Sequence, residues 1–163
     1  MKKYDKQDQK SLVAWAADCA ERVLALFENV YPKDDRPRKA IEACRAWVRM
    51  GVFKMAVIRA ASLDAHAAAR GAKENTAACF AARAAGQAVA TAHVPQHAFG
   101  AAFYALKAVA AADPAHAGCN VAKELDWQSL RVPQNLREEV LKRVIVQNNE
   151  KSIIIRIQKD KGF

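Results

Sequence analysis

A chain of 163 residues carrying a formal charge of +9 has the length of one domain, which buries roughly two thirds of the surface its unfolded form exposes. No apolar run reaches the about 20 charge-poor residues of a membrane span, and the charged opening MKKYDKQDQK is not followed by the apolar core of a secretory signal. Four well-separated cysteines, Cys19, Cys44, Cys79 and Cys119, form no CxxC pair; they read as free thiols in a reducing, cytoplasmic compartment, buried as small hydrophobes. The excess of positive charge invites an acidic partner, protein or nucleic acid. It is spread along the chain, with four lysines against two aspartates in the first ten residues and seven basic against four acidic residues from Arg137 onward, so no dense basic stripe appears.

Alanine makes up roughly a fifth of the chain while glycine and proline are scarce, a composition that favours helix because alanine loses no side-chain entropy on ordering. The pattern predicts six helices near 8–30, 37–50, 54–70, 75–93, 96–112 and 114–130, with a short seventh near 134–143. The first has a wide apolar stripe through Leu12, Ala16, Cys19, Val23, Leu26 and Val30, with Asp18 and Arg22 placed to pair at i, i+4 on its other face. The second buries Ile41, Cys44, Trp47 and Val48. Gly71 marks the end of the third. The fourth and fifth are so rich in alanine that their axes can approach closely, making them the tight centre of the bundle. Asp113-Pro114 starts the sixth, since aspartate caps and proline suits a first turn.

The expected fold is therefore all-α, a bundle of six to seven antiparallel helices over residues 1–143. Residues 144–163 change character. Ile153, Ile155 and Ile157 alternate after an Asn148-Asn149 turn signal, which reads as a β-hairpin or else a flexible tail. A lone hairpin is marginal in water, so it should pack on the bundle or pair with a second copy in a homodimer.

Residues able to do chemistry are sparse. His93 and His97 have a four-residue spacing seen in metal sites, but Pro95 between them disfavours a shared helix face and no nearby acid or cysteine completes a ligand set. His66 follows Asp64 and shares a helix side with Arg59 and Arg70. There is no GxSxG elbow, no glycine-rich phosphate loop, no cysteine beside a histidine, and no pair of carboxylates set for acid–base work. No metal, cofactor or catalytic residue is expected.

The densest charge is in YPKDDRPRKAIEACRAW, from Tyr31 to Trp47. Asp35 can cap the second helix, Pro37 fits its first turn, and Arg36 and Arg38 can fold back onto carboxylates or the first helix. Arginines in a rigid turn also suit bidentate contacts with a partner. Later, AKELDWQSLRVPQNLREEVL places Trp127 inward with Glu124, Asp126, Gln128 and Arg131 at the rim, and a Trp–Arg pair at an edge is a usual interface anchor.

Taken in order, ADCAERVLALFE, DDRPRKAIEACRAW, DAHAAAR, AARAAGQAVATAHVPQHAFGAAFYA and WQSLRVPQNLRE resemble the immunity-five-like family, small all-helical immunity proteins of bacterial polymorphic toxin systems. The resemblance runs from about Trp15 to Leu141 and includes Asp35, Arg36, Pro37, Arg38, Trp47, His66, His93, His97, Tyr104 and Trp127; the tail after Arg143 departs from it. It implies a non-enzymatic cytoplasmic protein that occludes a cognate toxin, with Asp35, Arg36, Arg38, His66, His93, His97, Trp127 and Arg131 as candidate partner-binding residues. Two other readings of the residues stay open: a basic helical module binding nucleic acid through its phosphates, or a binder of a small molecule or metal between helices through the histidines.

Overall fold

The computed structural model describes residues 4–149 and 152–158. Among these, seven α-helices run in chain order: α1 Lys6–Glu28, α2 Arg36–Met50, α3 Met55–Gly71, α4 Thr76–Ala90, α5 His97–Ala112, α6 Ala117–Arg131 and α7 Gln134–Arg143. A short 3₁₀ turn, Pro114–His116, precedes α6, and the strands β1 Val144–Asn149 and β2 Ser152–Ile157 close the chain as an antiparallel hairpin. The tail is thus a hairpin through Gln158. Asn148 and Asn149 do not form its turn: they lie in β1, opposite Ile153 and Ser152. Residues 150, 151 and 159–163 fall outside the described part.

The packing follows from side-chain size. α4 lies against α1, α2, α3 and α5, and seven of its eight buried residues are Ala or Gly, so its axis sits close to each neighbour. At Gly86 an added Cβ would come within 2.9 Å of the His66 ring on α3, which leaves room there for glycine alone unless the ring moves. α1 supplies the bulk that alanine lacks: Leu12, Val13, Trp15, Leu24 and Phe27 are all buried, each large apolar side chain contributing about 1.5–3 kcal/mol on burial. Val30 at its end is exposed because the helix stops at Glu28, before Pro32. α4 likewise stops at Ala90 rather than 93. The Thr91 hydroxyl donates to the Gln87 carbonyl at 3.0 Å, and turns over 91–96 lead through Pro95 into α5.

Caps set the remaining boundaries. Asp5 accepts from the Asp8 amide, Asn75 from the Ala78 amide and Asp113 from the His116 amide, satisfying first-turn donors that helix geometry leaves orphaned. Gly51, at φ 68°, ends α2 in the left-handed conformation that costs glycine least. Three of the cysteines are buried or half-buried thiols, whereas Cys119 is exposed near the start of α6. Burial pushes the Cys44 thiol up to about 12 and the Cys19 thiol well above its ordinary value.

The candidate surfaces and the polar groove

The Asp34–Arg38 cluster is engaged within the chain. Asp34, not Asp35, receives the Arg36 amide at 3.2 Å, and its two oxygens take the Arg36 Nε and Nη2 at 2.8 and 2.6 Å. That fork holds the Asp34 carboxyl below the usual carboxylate range. Asp35 makes no capping bond and instead meets Lys39 at 2.9 Å. Arg38 clamps both oxygens of Glu28 on α1, and Arg45 reaches Asp18 and Glu21 at 2.6 Å each. The expected Asp18–Arg22 pair does not form, because Asp18 turns to α2 and Arg22 to α6.

Arg22 holds Glu124, a buried carboxylate, with its Nε 2.9 and 3.1 Å from the two oxygens. Gln128 donates to Glu124 Oε1 at 3.3 Å and to the Ala102 carbonyl at 3.4 Å, while the Trp15 indole donates to the Gln128 carbonyl at 3.0 Å. Glu124 and Gln128 therefore lie inside the molecule, and Trp127 is the half-buried rim residue. Its ring carries Arg22 at 4.0 Å and Arg131 at 4.9 Å. The inversion has a simple cause: a carboxylate and an amide that complete each other's hydrogen bonds can be buried, and the indole then takes the edge under two guanidiniums.

The histidines part company. His93 is exposed and lines an apolar hollow of about 370 Å³ with Met55, Ile58, Arg59 and Leu63. His97 and His66 are half-buried on either side of α4. The His97 Nδ1 lies 2.7 Å from Gln87 Oε1, and at Gly100 an added Cβ would come as close as 2.7 Å to that same oxygen. Burial lowers the pKa of both rings, helped for His66 by Arg83, Arg70 and His97 and for His97 by His93. His97 and Gln87 open into a groove of about 400 Å³ with Gln96, Tyr104 and Arg156. Beside it, hydrogen bonds to Cys79 and Tyr104 hold the Arg83 guanidinium above its ordinary pKa. The groove offers donors, acceptors and positive charge. Among the described residues no carboxylate lines it, and no group of three or more His, Cys, Asp or Glu is placed to hold a metal ion.

Residue-by-residue reading missed a second surface. Met50, Val52, Phe53, Met55, Val57 and Leu63 are each between 42% and 62% exposed, around the link from α2 to α3. All but Phe53 border two hollows that share Ile58, and Phe53 stands exposed on the link beside them. Trp47 lines one of them, and its indole nitrogen is buried with no hydrogen-bond partner among the described residues. Arg49, Lys54 and Arg59 stand among these residues, and Lys10 approaches Gly51. The signal was present in MGVFKMAVI: a link between helices is usually polar, and this one is apolar.

The architecture is that of a small helical bundle with broad surface hollows and a C-terminal hairpin. Residues 2–135 match the family model described as Imm-5 like putative immunity protein; the chain belongs to that family. No curated protein and no solved structure matches it. The match ends just inside α7, so the hairpin lies beyond it. No described helix is long and apolar enough to cross a membrane.

Proposed function

We propose that the protein acts as an immunity protein in the cytoplasm, binding a cognate bacterial toxin tightly and blocking it by occlusion, without chemistry of its own. The observation that carries this is the exposed apolar surface at the α2–α3 link. Soluble monomers rarely leave a contiguous patch of large apolar side chains in water, and such patches mark interaction sites. Methionine, aromatic residues and arginine are the types enriched at interfaces, and here Met50, Phe53 and Met55 are accompanied by Arg49 and Arg59. Lys10, Arg49, Lys54 and Arg59 enter no ion pair among the described residues. A toxin surface with an apolar centre and acidic margin complements it.

Within this reading His93 belongs to the contact, since it lines the hollow beside Met55. Arg36 and Arg38 contribute by fixing α2 against the preceding turn and α1, and Trp127 and Arg131 by closing the α1–α6 seam. The test is co-expression with the toxin encoded beside it. Wild type should restore growth and co-purify one to one. Met50→Asp with Phe53→Asp should lose both while keeping the helical melt. Growth that stays arrested with wild type present would overturn the proposal.

A further inference from the structure

Each strand of the hairpin has an outer edge without a ladder partner among the described residues, and the surroundings of β2 are chemically one-sided. β2 pairs only with β1, so the backbone groups on its far side have no ladder partner among the described residues. Along β2 runs a trough with α5 as its floor. One half, about 400 Å³, lies between Gln87 of α4 and Ile155, Arg156 and Ile157. The other, about 450 Å³, lies between Phe80 of α4 and Ile153, Ile154 and Ile155. The two hollows share Ile155, and together they engage five residues of β2, a length of roughly 16 Å at the rise of a strand.

Charge selects the occupant. From Asn75 to Ala112, spanning all of α4 and α5, the sequence contains no aspartate or glutamate, and neither do the described residues of the hairpin. Lys107 and Arg156 line the trough, Arg83 lies beside its Tyr104, and none of the three enters an ion pair among the described residues. We infer that this trough receives an extended acidic segment of a partner protein, which adds to the open edge of β2 as a third strand. Its alternate side chains enter the apolar floor between Gly100 and Ala111, and its carboxylates meet Arg83, Lys107 and Arg156. Strand addition of this kind takes its affinity from main-chain hydrogen bonds and its selectivity from alternate side chains.

Two other occupants fit less well. A nucleic-acid strand would need open aromatic faces for its bases, but Lys107 sits 4.6 Å over Phe80 and 5.4 Å over Phe103, Arg83 lies 5.7 Å from the Tyr104 centroid, and the three rings pack on one another. A second copy of this chain would set the same edge, positive and without an acid among the described residues, against itself. The inference deepens the immunity reading by giving the partner an acidic strand, and it rests on that reading; its first test uses a peptide in place of the toxin.

The experiment uses the full chain and a fluorescein-labelled peptide of alternating Glu and Val, followed by anisotropy and by amide hydrogen exchange. Controls are the Lys-for-Glu peptide, the same acidic peptide N-methylated at alternate backbone nitrogens, and an oligo-dT of equal charge. The acidic peptide should bind and slow exchange at residues 153–157. N-methylation should abolish binding, since it removes strand hydrogen bonds but no charge. Lys107→Glu with Arg156→Glu should weaken it roughly ten-fold, the loss expected for two partly exposed charge contacts, with the hairpin's amide protection in the free protein unchanged. Equal binding of the N-methylated or lysine peptide, preferential binding of oligo-dT, protection of β2 that rises with protein concentration alone, or no binding would each overturn the inference. A toxin complex that forms without β2 protection would overturn it too while leaving the immunity proposal intact.

Discussion

Two faces of this molecule carry its arginines and lysines in opposite ways. Where α1 meets α2, Arg36, Arg38, Lys39 and Arg45 are each matched by a carboxylate, in contacts that tie turn to helix and helix to helix. At the α2–α3 link and, separately, along α4, α5 and β2, Arg49, Lys54, Arg59, Arg83, Lys107 and Arg156 lie beside exposed or half-buried apolar residues, in no ion pair among the described residues. The crowded motif is the internally matched surface. Dense opposite charges neutralise each other at short range, while a few cations in an acid-free region keep their field for a partner. Charge density along a sequence therefore points toward structure as readily as toward recognition.

Substitutions on the two faces should separate stability from binding. The largest effect belongs to the apolar link: Met50→Asp with Phe53→Asp should weaken the toxin complex by about 3 kcal/mol, over a hundred-fold in Kd, with the thermal midpoint of the free protein unchanged. Next is the buried pair. Arg22→Ala leaves the Glu124 carboxylate without its partner and should cost about 2 kcal/mol of folding free energy, below the full penalty because Arg22 itself is part-exposed. Urea melts would read it, and adding Glu124→Gln should recover part of the loss. A full additive loss would mean that the two side chains act independently.

Smaller effects sharpen the contrast. Gly100→Ala should force the Gln87 amide away from His97, setting crowding of about 1–3 kcal/mol against a helix-propensity gain of about 1 kcal/mol; a modest net loss with a shifted His97 ring resonance is expected. Arg36→Ala with Arg38→Ala should remove about 1 kcal/mol at low salt, less at high salt, and leave toxin affinity unaltered.

The smallest effect concerns pH. Burial lowers the folded-state pKa of both His66 and His97 below 6.5, so the unfolded chain binds more protons in the acidic range. Their contribution to stability is whole above about pH 6.5 and declines as pH falls through that value toward the folded pKa. Melting midpoints from pH 7.5 to 5 should therefore fall, and fall less in His66→Asn.

Much of the fold could be read from the residues. Alanine content and the Gly71 end mark helices by local chemistry, and the alternating isoleucines mark β2; Asp113-Pro114 starts a 3₁₀ turn, with α6 itself beginning at Ala117. Sites were harder, because partners are set by packing. Asp18 and Arg22 have ideal spacing for each other, yet each has a nearer mate on another helix. Glu124 and Gln128 look like rim residues until the Trp15 and Arg22 contacts show how their polar groups are satisfied inside. Asp35 occupies the capping position while Asp34, one residue earlier, reaches the Arg36 amide. The two features on which the proposed recognition rests were visible only as an unusual composition along the sequence, a linker with Val52 and Phe53 beside its one lysine and two helices without an acid.

The most direct test of the account is a calorimetric titration of the adjacently encoded toxin with three forms of the protein: wild type, the Met50→Asp/Phe53→Asp form, and an Arg36→Glu/Arg38→Glu form. The account predicts one-to-one binding by wild type, retained by the arginine variant even as its melting point drops, and lost in the apolar-link variant with its melt intact. Binding lost with the arginines and kept without Met50 and Phe53 would contradict it, placing the recognition surface on the salt-bridged face.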